Sequence, residues 1–214
     1  MPNVFENFSF QKPELTQLNK SVDMKGAWNS YFFQNENPIV LELACGKGEY
    51  SVALGELYPN KNFVGVDIKG NRIHNGAKKA IDQNLHNVCF LRTRIELLHE
   101  FIAKNEVSEV WITFPDPFPG FSDRRNRLVS PKFLDYYKSN LSDKKISYHL
   151  KTDNFPLFRY AVGVLDGRNE KIVTCLENIY GKDKKIDDVL RVETYYEKLH
   201  KSKGSQIHYV NWEM

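Results

Sequence analysis

The chain has 214 residues, 41% of them hydrophobic and 13% aromatic, which is enough for one sizeable core and excludes wholesale disorder. Thirty Lys and Arg against 27 Asp and Glu leave a charge of +3, too mild by itself to announce a nucleic-acid binder. No apolar run approaches the ~20 residues that span a bilayer.

The start, Met1-Pro2-Asn3-Val4-Phe5-Glu6, has neither the basic nor the apolar region of a signal peptide. Cys45, Cys89 and Cys175 are an odd, widely spaced trio, so a reduced cytoplasmic chain without membrane or metal is expected. Residues 1–36 are polar with scattered aromatics (Phe5, Phe8, Phe10, Trp28, Tyr31, Phe32, Phe33). They read as an N-terminal arm and a helix laid on a main domain over 37–214. After Asn37-Pro38 the run Ile39-Val40-Leu41-Glu42-Leu43 predicts a buried first strand. Helical spacing follows from Lys47 to Leu57, then a second strand at Phe63–Asp67 and a helix at Ile73–Ile81. The third strand is expected at Val88–Leu91, a helix at Leu97–Ala103, and the fourth strand at Glu109–Phe114. A helix at Pro131–Asn140, a fifth strand at Ile146–Lys151 and a helix at Leu157–Leu165 complete the alternation. Lys171–Leu176 and Gln206–Trp212 read as late strands around a polar, helix-forming stretch. The expected fold is α/β and doubly wound, with a mostly parallel, Rossmann-like sheet of about seven strands.

In such sheets ligands bind beyond the carboxyl ends of the strands, at the switch in strand order. After the first strand stands Glu42-Leu43-Ala44-Cys45-Gly46-Lys47-Gly48, and Gly46 and Gly48 permit a sharp turn and close ligand approach. Asp67 ends the second strand, where a carboxylate can accept two ribose hydroxyls. The spacing is an acid followed by A-x-G-x-G. Glu42 beside a ligand would repel a pyrophosphate and welcome an ammonium or sulfonium, which favours S-adenosylmethionine over NAD. An ordinary tight turn, with Asp67 as a helix cap, is the alternative.

The fourth strand leads into Phe114-Pro115-Asp116-Pro117-Phe118-Pro119-Gly120, whose prolines predict a stiff, extended loop presenting Asp116. From Gly120 to Lys145 seven Lys/Arg face three Asp, a local +4 that suits a polyanion or a solvated face. Lys151-Thr152-Asp153-Asn154 follows the fifth strand, with a helix cap as the plain alternative for Asp153. Thr194-Tyr195-Tyr196-Glu197 fits a capping box equally well.

Taken together and in this order, these four motifs resemble the bacterial tRNA (guanine-N7-)-methyltransferase family of class I S-adenosylmethionine-dependent enzymes, over roughly Val40 to Val210. The resemblance implies a cofactor held at Glu42, Gly46, Gly48, Asp67 and Asp116. Asp116 would be the catalytic or target-orienting residue, and Asp153, Thr194, Tyr195, Tyr196 and Glu197 would contact the tRNA nucleoside, a guanine of the variable loop. Arg124, Arg125 and Arg127, with Lys198, Lys201 and Lys203, would hold phosphates, while Phe118, Phe121 or Tyr195 would either stack on the base or simply pack. The chain departs from the family pattern at Gly120, Ser122 and Asp123, where Lys and Arg-His are usual, in Arg125-Asn126-Arg127, and at Arg94, which replaces a cofactor-side Asp or Asn. Altered RNA docking with retained chemistry is the expectation. A non-catalytic tRNA-binding relative and an NAD-dependent oxidoreductase on the same fold are the rival readings, and either a monomer or a homodimer is compatible with the sequence.

Overall fold

In the computed structural model, which describes residues 4–6, 24–181 and 186–214, all seven expected strands are present. The strands are β1 (Val4–Glu6), β2 (Ile39–Leu43), β3 (Asn62–Asp67), β4 (Val88–Arg92), β5 (Val107–Thr113), β6 (Ser147–Thr152), β7 (Lys171–Leu176) and β8 (His208–Glu213). The helices are α1 (Glu49–Leu57), α2 (Gly70–Asp82), α3 (Pro131–Asn140), α4 (Phe155–Gly167), α5 (Asp188–Arg191) and α6 (Tyr195–Ser202). The eighth strand, β1, is an addition to the sequence expectation. It pairs in parallel with β4 at the sheet edge, and three residues carry too short a pattern to be read in advance. Phe8 and Phe10 lie outside the described residues.

The sheet runs β1-β4-β3-β2-β5-β6-β8-β7. From central β2 the chain builds outward through β3 and β4, then returns to the other side of β2 with β5 and β6. All of these pairings are parallel, whereas β8 is antiparallel to both β6 and β7. The switch in strand order therefore falls between β2 and β5.

Period-two alternation divides the side chains between two cores. Ile39, Leu41 and Leu43 face Leu98, Phe133, Leu134, Tyr137, Leu157 and Phe158, so α3 and α4 cover that side. Val40, Phe63, Phe90 and Trp111 face Tyr50, Leu54, Ile73, Ala77, Leu190 and Ile207, so α1, α2 and the segment before β8 cover the other. A six-residue turn of π-helix at Trp28–Phe33 closes the first core. Trp28 is fully buried there, with its indole N–H donating to the Phe101 carbonyl at 2.8 Å.

The helix expected at Leu97–Ala103 is a 3₁₀ helix at Ile95–Glu100. This tighter helix still buries Leu98. Among the described residues no helix is long and apolar enough to cross a membrane.

Candidate functional site

At the switch point the ends of four parallel strands open into a cleft of about 350 Å³. Ala44 enters it from β2, Asp67 and Lys69 from β3, Thr93 and Arg94 from β4, and Phe114 to Asp116 from β5. Leu128 and Phe133 give it an apolar wall. One cavity thus brings together two carboxylates, Asp67 and Asp116, that lie far apart in the sequence.

The turn after β2 is built on left-handed backbone: Ala44 has φ +57°, Gly46 +56° and Gly48 +67°. A Cβ at Gly48 would lie 2.2 Å from the Phe90 ring, so only glycine lets α1 sit this close to the sheet. At Gly46 a Cβ would meet nothing within 4 Å, leaving the backbone open to a ligand. The Asp67 carboxylate ties this turn to the next one. Its Oδ2 accepts the Gly46 N–H at 2.9 Å and its Oδ1 the Lys69 N–H at 2.8 Å. The N-cap position of α2 belongs to Lys69, so the expected alternative of Asp67 as that cap does not apply. Each Asp67 oxygen keeps a further lone pair for a hydroxyl donor. An acceptor-only group fixed from two sides beside an open glycine turn fits the ribose of an adenosyl cofactor.

Glu42 requires a correction. It does not line the cleft but lies buried beneath the turn, on the α1 side of β2. Its Oε2 accepts the Ser51 N–H at 2.9 Å and the Ser51 hydroxyl at 2.5 Å, and its Oε1 accepts the Thr113 hydroxyl at 2.5 Å. Desolvation outweighs these hydrogen bonds and pushes its pKa up to about 7. Glu42 therefore joins the ends of β2, α1 and β5, and the full negative charge inferred for the cleft is not secured at neutral pH.

The proline loop also differs from expectation. Phe114 has φ +47° and Phe118 +45°, and each precedes a proline. A following proline disfavours the right-handed helical region, and these two residues occupy the left-handed one instead of continuing extended. Such backbone costs on the order of 1–3 kcal/mol per bulky residue and is held only when surroundings dictate it. The Phe114 N–H, which donates to the Lys151 carbonyl at 2.8 Å, anchors one end of the loop. Asp116 is exposed at the cleft mouth.

Of the three arginines assigned to phosphates, Arg127 does not fit. It is 5% exposed, and its guanidinium donates inward to the Pro117 and Phe118 carbonyls. Arg124 and Arg125 are exposed, and Arg124 lies 4.7 Å over the ring of Phe121, which is itself 82% exposed.

The Asp153 and Thr194–Glu197 motifs meet beyond β6. The cap of α4 is Asn154, whose side chain accepts the Leu157 N–H at 2.8 Å, so Asp153 is free of that duty. Asp153 Oδ2 instead lies 2.9 Å from His200 Nδ1. Thr194 does cap α6, accepting the Glu197 N–H at 3.2 Å. Glu197 does not complete the capping box. It is fully buried, with Oε2 2.8 Å from Lys151 Nζ and Oε1 accepting the Tyr180 hydroxyl at 2.8 Å. Tyr195 and Tyr196 are exposed. Lys201 is another correction, since its ammonium is spent on Glu193 and the face of Tyr180 instead of the surface.

Sequence reasoning missed several cleft neighbours. Lys69, Arg72, Thr93 and Glu96 line the cavity but carry no motif. Lys47 and Glu49 connect the cofactor-side turn to the later motif: the Lys47 ammonium lies 5.2 Å over the Tyr195 ring, and Glu49 Oε2 accepts the Tyr195 N–H at 2.7 Å. Only the strand-end rule would have flagged them. A larger cavity, of about 630 Å³, lies over the first halves of β3, β5 and β6, away from the strand ends. Its polar groups chiefly serve each other: Glu109 accepts from Lys61 and Trp111, and His149 contacts the Tyr209 hydroxyl at 2.7 Å.

Comparison with known proteins bears on this geometry. A family model described as "Putative methyltransferase" matches residues 36–210. A tRNA (guanine-N(7)-)-methyltransferase of Christiangramia forsetii is 42% identical over 98% of this chain and 95% of its own length. One from Bacteroides fragilis is 41% identical over 95% of this chain and 79% of its own length. Among solved structures the 16S rRNA methyltransferase KamB superposes with a TM-score of 0.66 at 14% identity, covering 90% of this chain and 95% of that one. A SAM-dependent methyltransferase from Aquifex aeolicus does so at 0.55 and 13%, covering 95% and 98%. These two share the fold.

Proposed function

This chain belongs to the tRNA (guanine-N7-)-methyltransferase family, and from that premise we propose how its own residues carry out the reaction. The protein transfers the methyl group of S-adenosylmethionine to N7 of a guanine in tRNA. The guanine is one of the tRNA variable loop.

Bound S-adenosylmethionine supplies an electrophilic methyl on a sulfonium, whose leaving group is a neutral thioether. Asp67 accepts the ribose hydroxyls, the Gly46 turn admits the cofactor close to the backbone, and Gly48 sets the angle of α1 beneath it. Glu42 acts one layer down, holding that turn in register with Thr113 at the root of the Asp116 loop. Guanine N7 carries a lone pair and no proton, so no general base is needed. Methyl transfer to N7 would leave the bonding electron pair on the departing neutral thioether, so the chain would need to supply no proton acceptor. The purine then carries the positive charge, which the nearby Asp116 carboxylate stabilises. Much of the acceleration comes from holding the two reactants in line, worth up to ~7–11 kcal/mol in favourable cases.

Asp153 accepts from guanine N1–H and its 2-amino group, a donor pair that adenine lacks. The exposed rings of Tyr195 and Tyr196 meet the nucleoside after it leaves its stack, which costs a few kcal/mol. Thr194 and Glu197 hold that segment, the former as a helix cap and the latter through Lys151. Arg124 and Arg125 meet backbone phosphates.

The observation that supports this reading best is the single cleft lined by both Asp67 and Asp116 at the switch point. Borohydride–aniline scission of tRNA treated with enzyme and cofactor tests the position. A break at one variable-loop guanine is expected, and scission elsewhere or nowhere would overturn the assignment.

A further inference from the structure

Arg127 differs in kind from its neighbours in the loop. Its Nε donates to the Pro117 carbonyl at 3.0 Å and lies 3.3 Å from that of Phe118, to which Nη2 donates at 3.0 Å. Its guanidinium lies 4.4 Å from the centre of the Tyr160 ring on α4. The two carbonyls are those of the first and second residues after Asp116. Pro115, Pro117 and Pro119 have no N–H to donate, so every second residue of the loop lacks a backbone donor, and Arg127 supplies hydrogen bonds to two of its carbonyls. Phe114 and Phe118, both left-handed, bracket Asp116 with backbone that relaxes unless something restrains it.

We propose that Arg127 is a positioning residue for methyl transfer: from beneath the loop it fixes the backbone that aims Asp116, and it makes no phosphate contact. The inference rests on the reading of Asp116 as the central carboxylate. An arginine suits the task because its planar fork satisfies two carbonyls while its face rests on an aromatic ring. Lysine keeps the charge but offers neither the fork nor the stacking face. Its substitution therefore separates positioning from simple charge.

The test compares Arg127→Lys, Arg124→Ala and Asp116→Ala in the full chain. Each is assayed for thermal unfolding, tRNA affinity at several salt concentrations, and single-turnover methylation at saturating tRNA and cofactor. Arg127→Lys is expected to keep the wild-type tRNA Kd and salt slope while its single-turnover rate falls by tenfold or more, since a displacement of about 1 Å can cost ~10²-fold. Arg124→Ala is expected to do the reverse, weakening tRNA binding and flattening its salt dependence. An Arg127→Lys protein with a wild-type rate, or one whose only defect is weaker and flatter tRNA binding, would overturn the inference. Should Arg127→Lys fail to unfold cooperatively, Tyr160→Leu, which removes only the platform, is held to the same expected and contrary outcomes. If Asp116→Ala methylates at the wild-type rate, the reading of Asp116 falls. If it is inactive while Arg127→Lys is unimpaired, only the present inference falls.

Discussion

The Lys151 ammonium lies 2.8 Å from a Glu197 carboxylate oxygen, and neither side chain reaches solvent. The same ammonium donates to the carbonyls of Leu190 and Val192, so one buried cation gathers the end of β6 and the segment leading into α6. Burial lowers the lysine pKa and the neighbouring Glu197 raises it, which makes the pair interdependent. Because Asp153 lies two residues beyond Lys151 and Tyr195 two before Glu197, this pair joins the turn that carries Asp153 to the segment that carries Tyr195.

Removing one member of that pair strands the other. Glu197→Gln is expected to cost about 3–5 kcal/mol in urea unfolding. The double variant Lys151→Met/Glu197→Leu should recover a substantial part of that stability. A single-variant loss below about 1 kcal/mol would contradict a buried ion pair.

Glu42 gives the protein a pH dependence of definite sign. Its folded pKa of about 7 exceeds the ordinary 4.5, so the folded state binds the proton more tightly than the unfolded chain does. Its contribution is fully present below about pH 4.5 and is lost as pH rises through 7, a swing on the order of 3 kcal/mol. Unfolding free energies of wild type and Glu42→Gln at pH 5 and 7.5 check this. The wild type should weaken relative to the variant at the higher pH. Parallel curves would show that Glu42 ionises normally in the fold.

The two turn glycines are expected to respond differently to alanine. Gly48→Ala drives a Cβ into Phe90 and should lower the melting temperature measurably. Gly46→Ala meets open space, so it should cost only about 1 kcal/mol of backbone strain while weakening cofactor binding disproportionately. Calorimetric titration with S-adenosylhomocysteine beside a melting curve separates the two. Equal losses of stability with unchanged affinity at Gly46→Ala would remove that turn from the cofactor site.

The exposed arginines should be visible in salt. Replacing Arg124 and Arg125 together by alanine is expected to lower the slope of log K against log salt for tRNA by about 1 to 2, as two phosphate contacts require. An unchanged slope would move the RNA away from this loop.

The sheet was legible because each strand carries a run of apolar or β-branched residues between turn signals, from Ile39–Leu43 through Gln206–Trp212. The strand-end rule points to Asp67 and Asp116, and both line one cleft. What stayed hidden depends on contacts distant in sequence. Nothing in the basic run separates Arg127 from Arg124 until Tyr160 and the Pro117 carbonyl are brought beneath it. The role of Glu42 depends on Thr113, 71 positions away. The pattern Thr194-x-x-Glu197 fits a cap or a contact, yet Thr194 caps while Glu197 goes to Lys151, a partner that the motif does not contain.

The most direct test of the account uses radiolabelled S-adenosylmethionine and unmodified tRNA with wild-type protein, Asp116→Ala and Asp116→Asn, followed by digestion to nucleosides. Label in 7-methylguanosine from the wild type is expected to fall by 10²-fold or more in both variants, within the ~10²–10³-fold scale for removing one aimed electrostatic group. S-adenosylhomocysteine affinity should change far less. Full labelling by either variant would contradict the central place given to the Asp116 carboxylate.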